Sequence, residues 1–413
     1  MLKRCTKRFC RKIWNKKYPV PGIISLIVVL WRKEIIIVNL LVVSSDFSPR
    51  SWGIGAYTKE LSTSLSRGNQ VTVLATGIPD AEIFDHGCIY RIIRTPSLPV
   101  LRYIALFFYV PWILRRYHID VVLHVVWVTS LISHIWCRLI PVPYFVSVHG
   151  TEIRDDKITW RRRLKGYLRT WRLAALRKAK GIFPVSNFSA RLVMSLGVEQ
   201  NRIKVLLNGV NTEHFSPVTN YHKNIRQQKL LTVARLDLNK GHDYILNALV
   251  ILKRQGFTPN YTIVGQGPEE MRLRKMVQDF GLEDQVVFTG FIPQDQLPSM
   301  YASCDIFVMA SREIPGRLDL VEGFGISFLE ASASGLPVVA GDSGGISDAV
   351  QHEKTGLLVN PDNPEDIASA IKRLLTDEDL ARQLGNEGRR WTVSQMSWEH
   401  VAKRMVSAMQ RMM

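Results

Sequence analysis

Two glutamates on either side of a glycine-rich turn form the stretch with the clearest chemistry. Glu322 directly precedes the turn 323–325, and Glu330 follows with seven residues between the two glutamates. The apolar run 306–310 predicts a strand that enters the turn, and the residues 326–334 predict a helix that leaves it. Backbone N–H groups at a helix start, preceded by flexible glycines, suit a phosphate group. The two carboxylates could then reach opposite sides of one bound diphosphate.

Two basic side chains could bind the same diphosphate. Arg235 and Lys240 lie five positions apart, where the strand predicted over 230–233 gives way to a helix. Arginine offers a planar fork of donors and lysine a compact charge, so the pair could act as a cationic clamp. An arbitrary Arg and Lys at this spacing would mean little. The surrounding Leu-x-x-x-Lys-Gly pattern makes the signal more specific.

Glycines and a histidine mark further turns. Gly53 and Gly55 precede a helix predicted over 56–66, but the third glycine of a dinucleotide-binding fingerprint is missing. His149 directly follows a strand predicted over 144–148. A single histidine in such a place is more often structural than functional. Each of these motifs is weak when it is taken alone.

The order of the motifs is more specific than any one of them. Strand and helix patterns alternate from Val38 onward, which predicts an α/β fold with parallel sheets. Along this stretch the segments above resemble, in content and in order, the retaining GT-B glycosyltransferases of family 4 (glycosyl transferases group 1). The resemblance extends from about residue 38 to the end. It departs from the family pattern where Gly53-Ile54-Gly55 replaces a double glycine, Asn211 an aspartate and Asp348 a glutamate.

The resemblance implies a GT-B architecture, in which two Rossmann-like, doubly wound domains face a central cleft. The expected limits are 38–212 for an N-terminal acceptor domain and 219–394 for a C-terminal nucleotide-sugar donor domain. A terminal helix within 395–413 should cross back to the first domain. Residues 1–37 would be an N-terminal extension.

The resemblance also implies roles for the site residues. Glu322 would contact the transferred sugar, Glu330 would bind ribose hydroxyls, and His149 would lie beside the donor sugar. The expected catalytic residues are Glu322, His149, Arg235 and Lys240. The expected donor-binding residues are Gly53, Gly55, Arg235, Lys240, Gly265, Phe291, Ile292, Glu322, Gly323, Phe324, Gly325, Ile326 and Glu330.

The implied activity is that of a hexosyltransferase. A sugar such as mannose or glucose would move from a GDP- or UDP-sugar to a lipid-linked or glycan acceptor, in polysaccharide or glycolipid biosynthesis. No side chain is a convincing covalent nucleophile, so we expect a same-face route that retains the anomeric configuration. We expect no cofactor and no divalent metal, because the cationic clamp would stabilise the leaving diphosphate. The site residues do not identify the sugar, the nucleotide base or the acceptor.

Three other classes of function fit these residues less well. A glycoside hydrolase needs two carboxylates that flank the scissile bond, whereas Glu322 and Glu330 suit a nucleotide better. A nicotinamide-dependent oxidoreductase needs the complete glycine fingerprint. A non-catalytic, nucleotide-binding subunit of a membrane-surface glycan assembly complex is the alternative, although such a subunit should lose the set Arg235, Lys240 and Glu322.

Positive charge is concentrated in the first half of the chain. The formal net charge is +18, and residues 1–212 contain 33 Lys or Arg against 11 Asp or Glu. Residues 157–180 combine ten basic residues with Trp and Tyr at helical spacing. This segment is either a helix lying on an anionic membrane surface or a core helix with a solvated basic face. No nucleic-acid-binding pattern accompanies the charge.

Two further observations concern location. The five cysteines show no Cys-x-x-Cys spacing, which favours a reducing compartment. Within residues 1–37, eight Lys or Arg precede the apolar run 20–31, which is too short to span a bilayer. This extension is either an interfacial anchor or an appendage ahead of the first strand. We therefore expect a cytoplasmic protein that is peripheral on the inner face of the membrane.

Overall fold

The computed structural model describes residues 38–49, 53–79, 81–136, 139–150, 162–217, 228–317 and 320–413. The first half of this chain forms a parallel six-stranded sheet. Its strands are β1 (Asn39–Ser44), β2 (Gln70–Thr76), β3 (Arg91–Thr95), β4 (Val121–His124), β5 (Tyr144–Val148) and β6 (Gly181–Pro184). Its helices are α1 (Ile54–Ser66), α2 (Glu82–His86), α3 (Pro99–Arg116), α4 (Ser130–Trp136), α5 (Arg162–Lys178) and α6 (Asn187–Ser195).

The second half forms another parallel six-stranded sheet. Its strands are β7 (Lys229–Val233), β8 (Asn260–Val264), β9 (Val286–Gly290), β10 (Ile306–Met309), β11 (Val338–Gly341) and β12 (Leu357–Val359). Its helices are α7 (His242–Arg254), α8 (Glu270–Asp279), α9 (Leu297–Ala302), α10 (Ile326–Ala333), α11 (Pro364–Thr376) and α12 (Glu378–Gln395). The last helix, α13 (Trp398–Met412), ends the chain.

The two sheets repeat one topology. The first has the order β3-β2-β1-β4-β5-β6, and the second, read in the same direction, has β9-β8-β7-β10-β11-β12. Each is the doubly wound Rossmann order, in which the strand order reverses beside the first strand of the domain. Central strands such as β1 and β10 are buried on both faces, as their near-continuous apolar sequences require. The predicted pair of Rossmann-like domains is confirmed.

The chain returns from the second domain to the first through α13. Val210 N donates to the Met396 carbonyl oxygen at 2.8 Å, and Val210 forms a parallel bridge with Ser397. Trp398 then packs against Tyr57 of α1, with ring centroids 5.2 Å apart. A Cβ at Gly209 would lie 2.7 Å from the Trp398 ring, so the backbone there passes directly beside the indole. The predicted crossing of the terminal helix is therefore present.

Several sequence-based expectations lie outside the described residues. These include the whole N-terminal extension, most of the linker after 217, and residues 157–161 of the basic segment. The basic segment is helical from Arg162, and at its C-terminal end Ala175 and Leu176 are fully buried. The C-terminal end of α5 therefore packs into the core of the first domain. Among the described residues, no helix is both long enough and apolar enough to cross a bilayer.

Candidate active site

Lys240 and Glu322 come together at the point where the strand order of the second sheet reverses, between β7 and β10. β7 and β10 are neighbours in that sheet, and Lys240 follows β7 whereas Glu322 follows β10. Ligands of open α/β sheets bind at such a point, beyond the carboxyl ends of the strands. Lys240 Nζ donates a hydrogen bond to Glu322 Oε2, and both side chains are mostly shielded from solvent. The Lys240–Glu322 ion pair is the centre of the candidate site.

The backbone holds the Lys240 turn against the end of β10. Gly241 has φ +72°, and a Cβ at this position would overlap the carbonyl oxygen of Ala310. Arg312 N donates to the Asn239 carbonyl oxygen at 2.8 Å. Only glycine fits both the positive φ and the close approach. The position of Lys240 is therefore set by the main chain on both sides of it.

The glycine turn after Glu322 contacts the first domain directly. A Cβ at Gly323 would overlap the carbonyl oxygen of His149, and a Cβ at Gly150 would lie 3.0 Å from the Cα of Gly323. On its other side the turn is held by Gly345, whose N–H donates to the Glu322 carbonyl oxygen at 2.9 Å. The predicted donor loop and the predicted histidine motif are thus adjacent across the cleft.

His149 is a neutral side chain in this arrangement. Burial lowers its pKa to about 4, although a hydrogen bond with the Val125 carbonyl oxygen opposes the shift. Nε2 carries the proton and donates to Val125 O at 3.1 Å, while Tyr57 meets the ring edge to face at 4.5 Å between centroids. The imidazole is therefore held rigidly, and its own carbonyl group forms the contact with Gly323. The structure leaves the catalytic role predicted for His149 untested.

Glu330 has a partner that sequence reasoning missed. Tyr301, in α9, is fully buried and donates its hydroxyl to Glu330 Oε2 at 2.7 Å. Burial raises the pKa of Glu330 to about 7, and the hydrogen bond from Tyr301 acts in the opposite direction. Burial, together with the charge of Glu330, holds the pKa of Tyr301 well above its ordinary value. Tyr301 precedes Glu330 by 29 positions, so no local motif links them.

Arg235 does not share the surroundings of Lys240. Its side chain is 70% exposed, and it pairs with Asp237 Oδ1 at 3.3 Å. The turn that carries it runs close to Gly265, where a Cβ would overlap the Ala234 carbonyl oxygen. Gly265 N donates in turn to the Gly290 carbonyl oxygen at 2.8 Å, at the end of β9. The two cations expected to form a clamp thus have different partners in this structure.

The remaining predicted donor-binding residues lie at the ends of strands and at the starts of helices. Phe291 directly follows β9 and is 53% exposed, while Ile292 is partly buried against the core. Gly53 caps the start of α1 with φ +63°, and Gly55 is buried in the first turn of that helix. Gly325, with φ +88°, leads into α10. Phe324 is buried and Ile326 begins α10.

A second contact across the cleft involves Asp348, the position where the family pattern has glutamate. The Asn187 backbone N–H donates to Asp348 Oδ2 and its side-chain amide to Oδ1, each at 2.6 Å. Asn187 begins α6, so this carboxylate of the second domain neutralises the positive end of a helix in the first. The shorter aspartate accepts two hydrogen bonds from a single residue.

No group of three or more His, Cys, Asp or Glu side chains placed to hold a metal occurs among the described residues. The sequence has one Asp-x-Asp pattern, Asp377-Glu378-Asp379, at the start of α12. There Asp377 accepts a hydrogen bond from Leu380 N at 2.9 Å and Asp379 pairs with Arg382. These aspartates cap and support a helix.

Comparisons with known proteins identify relatives of this chain. The family model described as "Glycosyl transferases group 1" matches residues 219–391, and the model "Glycosyltransferase Family 4" matches residues 53–214. The GDP-mannose-dependent alpha-(1-6)-phosphatidylinositol monomannoside mannosyltransferase of Mycobacterium tuberculosis is 31% identical over 385 residues. That alignment covers 89% of this chain and 97% of the relative.

Solved structures show the same fold at lower identity. Sucrose-phosphate synthase of Thermosynechococcus elongatus superposes with a TM-score of 0.72 at 22% identity, over 90% of this chain and 98% of that one. The HepE protein of Anabaena, solved in complex with UDP, gives 0.73 at 18% identity, over 90% and 100%. The chain belongs to the glycosyl transferases group 1 and is a glycosyltransferase with the two-domain GT-B fold.

Proposed function

We propose that this glycosyltransferase moves mannose from GDP-mannose to a phosphatidylinositol-type glycolipid, with retention at the anomeric carbon. The observation that carries the proposal is the Lys240–Glu322 ion pair, held at the switch point of the second sheet beside the contact of Gly323 with His149. The donor and the acceptor class are those in the name of the mycobacterial relative, which aligns along nearly its whole length.

The site has the charges that such a transfer requires. As the nucleoside diphosphate departs, negative charge develops on its phosphate oxygens. Lys240 and the backbone N–H groups of residues 323–326 would stabilise this charge. Arg235 would add its guanidinium from the exposed side of its turn, where its present partner is Asp237. Glu322 would orient the sugar through its hydroxyl groups. The leaving phosphate would take the proton of the acceptor on the same face of the ring, which gives retention.

Glu330 and the residues after β9 would bind the nucleoside. The Glu330 carboxylate, which is held in place by Tyr301, would accept hydrogen bonds from two ribose hydroxyls. The half-exposed ring of Phe291 and the backbone at Ile292 would face the base. Gly53 and Gly55 would approach the diphosphate from the first domain.

A donor screen combined with product analysis tests this function. Thermal unfolding is measured with GDP, UDP and ADP, because a ligand at a hundred times its Kd stabilises a protein by about 2.7 kcal/mol. Transfer is then measured from GDP-mannose and UDP-glucose to a phosphatidylinositol mannoside, with the anomeric configuration read by NMR. We expect GDP to stabilise most and the product to be the α-anomer. Nucleotide binding without transfer to any acceptor would favour a non-catalytic subunit instead.

The two glutamates should differ in what their loss affects. Glu330→Gln is expected to weaken GDP binding, whereas Glu322→Gln should leave GDP affinity within about twofold and reduce transfer about a hundredfold. Isothermal titration with GDP and initial rates of transfer separate the two effects. Glu313→Gln is the matched control, since Glu313 is an exposed glutamate of the same segment. Equal loss of GDP affinity in both variants would contradict the assigned roles.

GDP binding should depend on pH through Glu330. Its pKa of about 7 means that the carboxylate becomes ionised as pH rises from 6 to 8. Only the ionised form offers both oxygens as strong acceptors, so affinity should rise over this range, by about tenfold at most. Glu330→Gln should show only the smaller dependence that comes from the nucleotide phosphates. Tyr301→Phe removes a hydrogen bond that lowers the pKa, so its midpoint should move to higher pH.

Transfer should not require a divalent metal, because Lys240 and the backbone amides supply the positive charge at the leaving group. Activity is expected to survive an excess of EDTA with less than a twofold change. Loss of activity that Mg²⁺ or Mn²⁺ restores would contradict this part of the mechanism. The measurement uses protein dialysed against chelator before the assay.

A glycolipid acceptor would require the protein to work at a membrane surface. Residues 38–212 alone contain 23 Lys or Arg against 10 Asp or Glu. This charge would attract the first domain to an anionic leaflet, each nearby Lys or Arg adding about 1 kcal/mol. We propose peripheral association with the inner face of the cell membrane, where GDP-mannose would be supplied from the cytoplasm.

A further inference from the structure

Helix α3 exposes a line of large apolar side chains. Leu101, Ile104, Phe108 and Trp112 have exposed fractions of 46%, 49%, 60% and 51%. Their spacing of three, four and four places them on one face of the helix. The outward face of a helix in a water-soluble domain is normally polar. We call these four residues the α3 stripe.

The opposite face of α3 is fixed in the protein core. Leu106, Val110 and Ile113 are fully buried in the cluster that covers one side of the first sheet. The helix therefore cannot turn to hide the α3 stripe without dismantling that core. Single exposed apolar side chains are ordinary, but a contiguous row about 16 Å long marks an interaction surface.

The surroundings of the α3 stripe are apolar and basic. Leu139 is 72% exposed in the turn after Trp136, whose indole N–H donates to the Phe107 carbonyl oxygen at 2.8 Å. Arg115 and Arg116 are exposed at the C-terminal end of α3. The sequence has no Asp or Glu between positions 86 and 119. Helix α3 thus combines exposed apolar rings with positive charge, and its own stretch of the chain contains no acidic residue that would repel anionic lipid.

We propose that the α3 stripe inserts into the boundary between headgroups and acyl chains of an anionic bilayer. A tryptophan and a phenylalanine beside terminal arginines are the composition of an interfacial helix. A second copy of the chain fits less well, because it would bring two basic surfaces face to face. The inference extends the proposed membrane association by assigning it to particular residues. It differs from the sequence-based expectation, which placed the membrane contact on the segment 157–180.

The position of α3 connects this surface with the cleft. β3 ends at Thr95, at the carboxyl edge of the first sheet, and α3 begins four residues later. Since the cleft lies beyond the carboxyl ends of the strands, the N-terminal end of α3 is on the cleft side of the domain. An acceptor lipid could then keep its acyl chains in the bilayer beside Leu101 while its headgroup enters the cleft.

A site-specific crosslinker tests the insertion in the full-length protein. Phe108 is replaced by p-benzoylphenylalanine, the protein is mixed with vesicles of phosphatidylglycerol and phosphatidylcholine, and the sample is irradiated. We expect a mass increase of one phospholipid at position 108. The same probe at Met271, which is 85% exposed in α8 of the second domain, should give no lipid adduct. Absence of the adduct at 108, or crosslinking to a second copy of the chain, would overturn the proposal.

A double substitution gives a quantitative measurement. Phe108→Ser with Trp112→Ser should lower the vesicle partition coefficient at least tenfold at 0.1 M salt, whereas Met271→Ser with Val393→Ser should change it less than twofold. The Kd for GDP should be the same in both double variants. Equal partitioning of the two variants would contradict insertion through α3. If vesicle binding follows the expectation but no mannose is transferred by the parent protein, the proposed reaction fails and the membrane surface stands.

Discussion

Replacing Lys240 by alanine is expected to lower kcat about a hundredfold, which corresponds to about 2.7 kcal/mol of transition-state stabilisation. Lys240 lies beside Glu322 at the switch point, and its turn is fixed against β10 by Gly241. Its ammonium group is therefore presented at one position, where charge on the leaving diphosphate would develop. The rate of mannose transfer at saturating donor measures the effect.

Two comparisons make the Lys240 result specific. Lys275→Ala removes an exposed lysine from α8 and should leave kcat unchanged within about twofold. Arg235→Ala is expected to reduce kcat by about the same factor as Lys240→Ala if both cations act on one diphosphate. A rate close to that of the parent protein in the Lys240 variant would show that the diphosphate binds elsewhere.

Gly323→Ala should lower kcat by about one to two orders of magnitude without unfolding the protein. The added methyl group would overlap the His149 carbonyl oxygen, so the glycine turn and the first domain must move apart. A displacement of about 1 Å between reacting groups can reduce a rate a hundredfold. The loss should therefore be in turnover, with a smaller change in GDP affinity.

The control for Gly323 is another glycine of the described chain. Gly68 follows α1, and a Cβ at this position would meet nothing within 4 Å. Gly68→Ala should leave both kcat and the midpoint of thermal unfolding close to those of the parent protein. If Gly323→Ala also retained its full rate, the contact between the turn and His149 would have no part in the reaction.

The structure brings together Lys240 and Glu322, which the sequence analysis assigned to one diphosphate site, for a physical reason. Lys240 and Glu322 are 82 positions apart, yet each follows a central strand of one parallel sheet. Parallel strands end at a common edge, so residues that follow neighbouring strands must meet. Applying this rule requires only that the strands and the turns after them be recognised. Apolar runs followed by glycine turns make that possible from the sequence.

Other features depend on packing that no local pattern encodes. Arg235 and Lys240 are close in sequence, but the side-chain directions in their turn give them different partners. Tyr301 reaches Glu330 from a helix with no motif of its own. The edge strand β3 was not predicted, because Arg-Ile-Ile-Arg-Thr is short and half polar. Periodicity also fails for α3, since a helix that is apolar on all sides does not reveal which face is buried.

The pairing of Val210 with Met396 and Ser397 limits how the two domains can move. The chain leaves the first domain after Val210 and returns to it at Trp398, and Val210 is hydrogen-bonded to the returning segment. Two adjacent connections should oppose sliding of one domain past the other. They should still allow one domain to rotate relative to the other about the line that joins the two connections. We therefore expect opening of the cleft to be mainly a hinge motion about these connections. Closure of such a hinge would return Gly323 to His149 and Asp348 to Asn187 together, so we expect a substrate that separates one of these contacts to weaken the other as well.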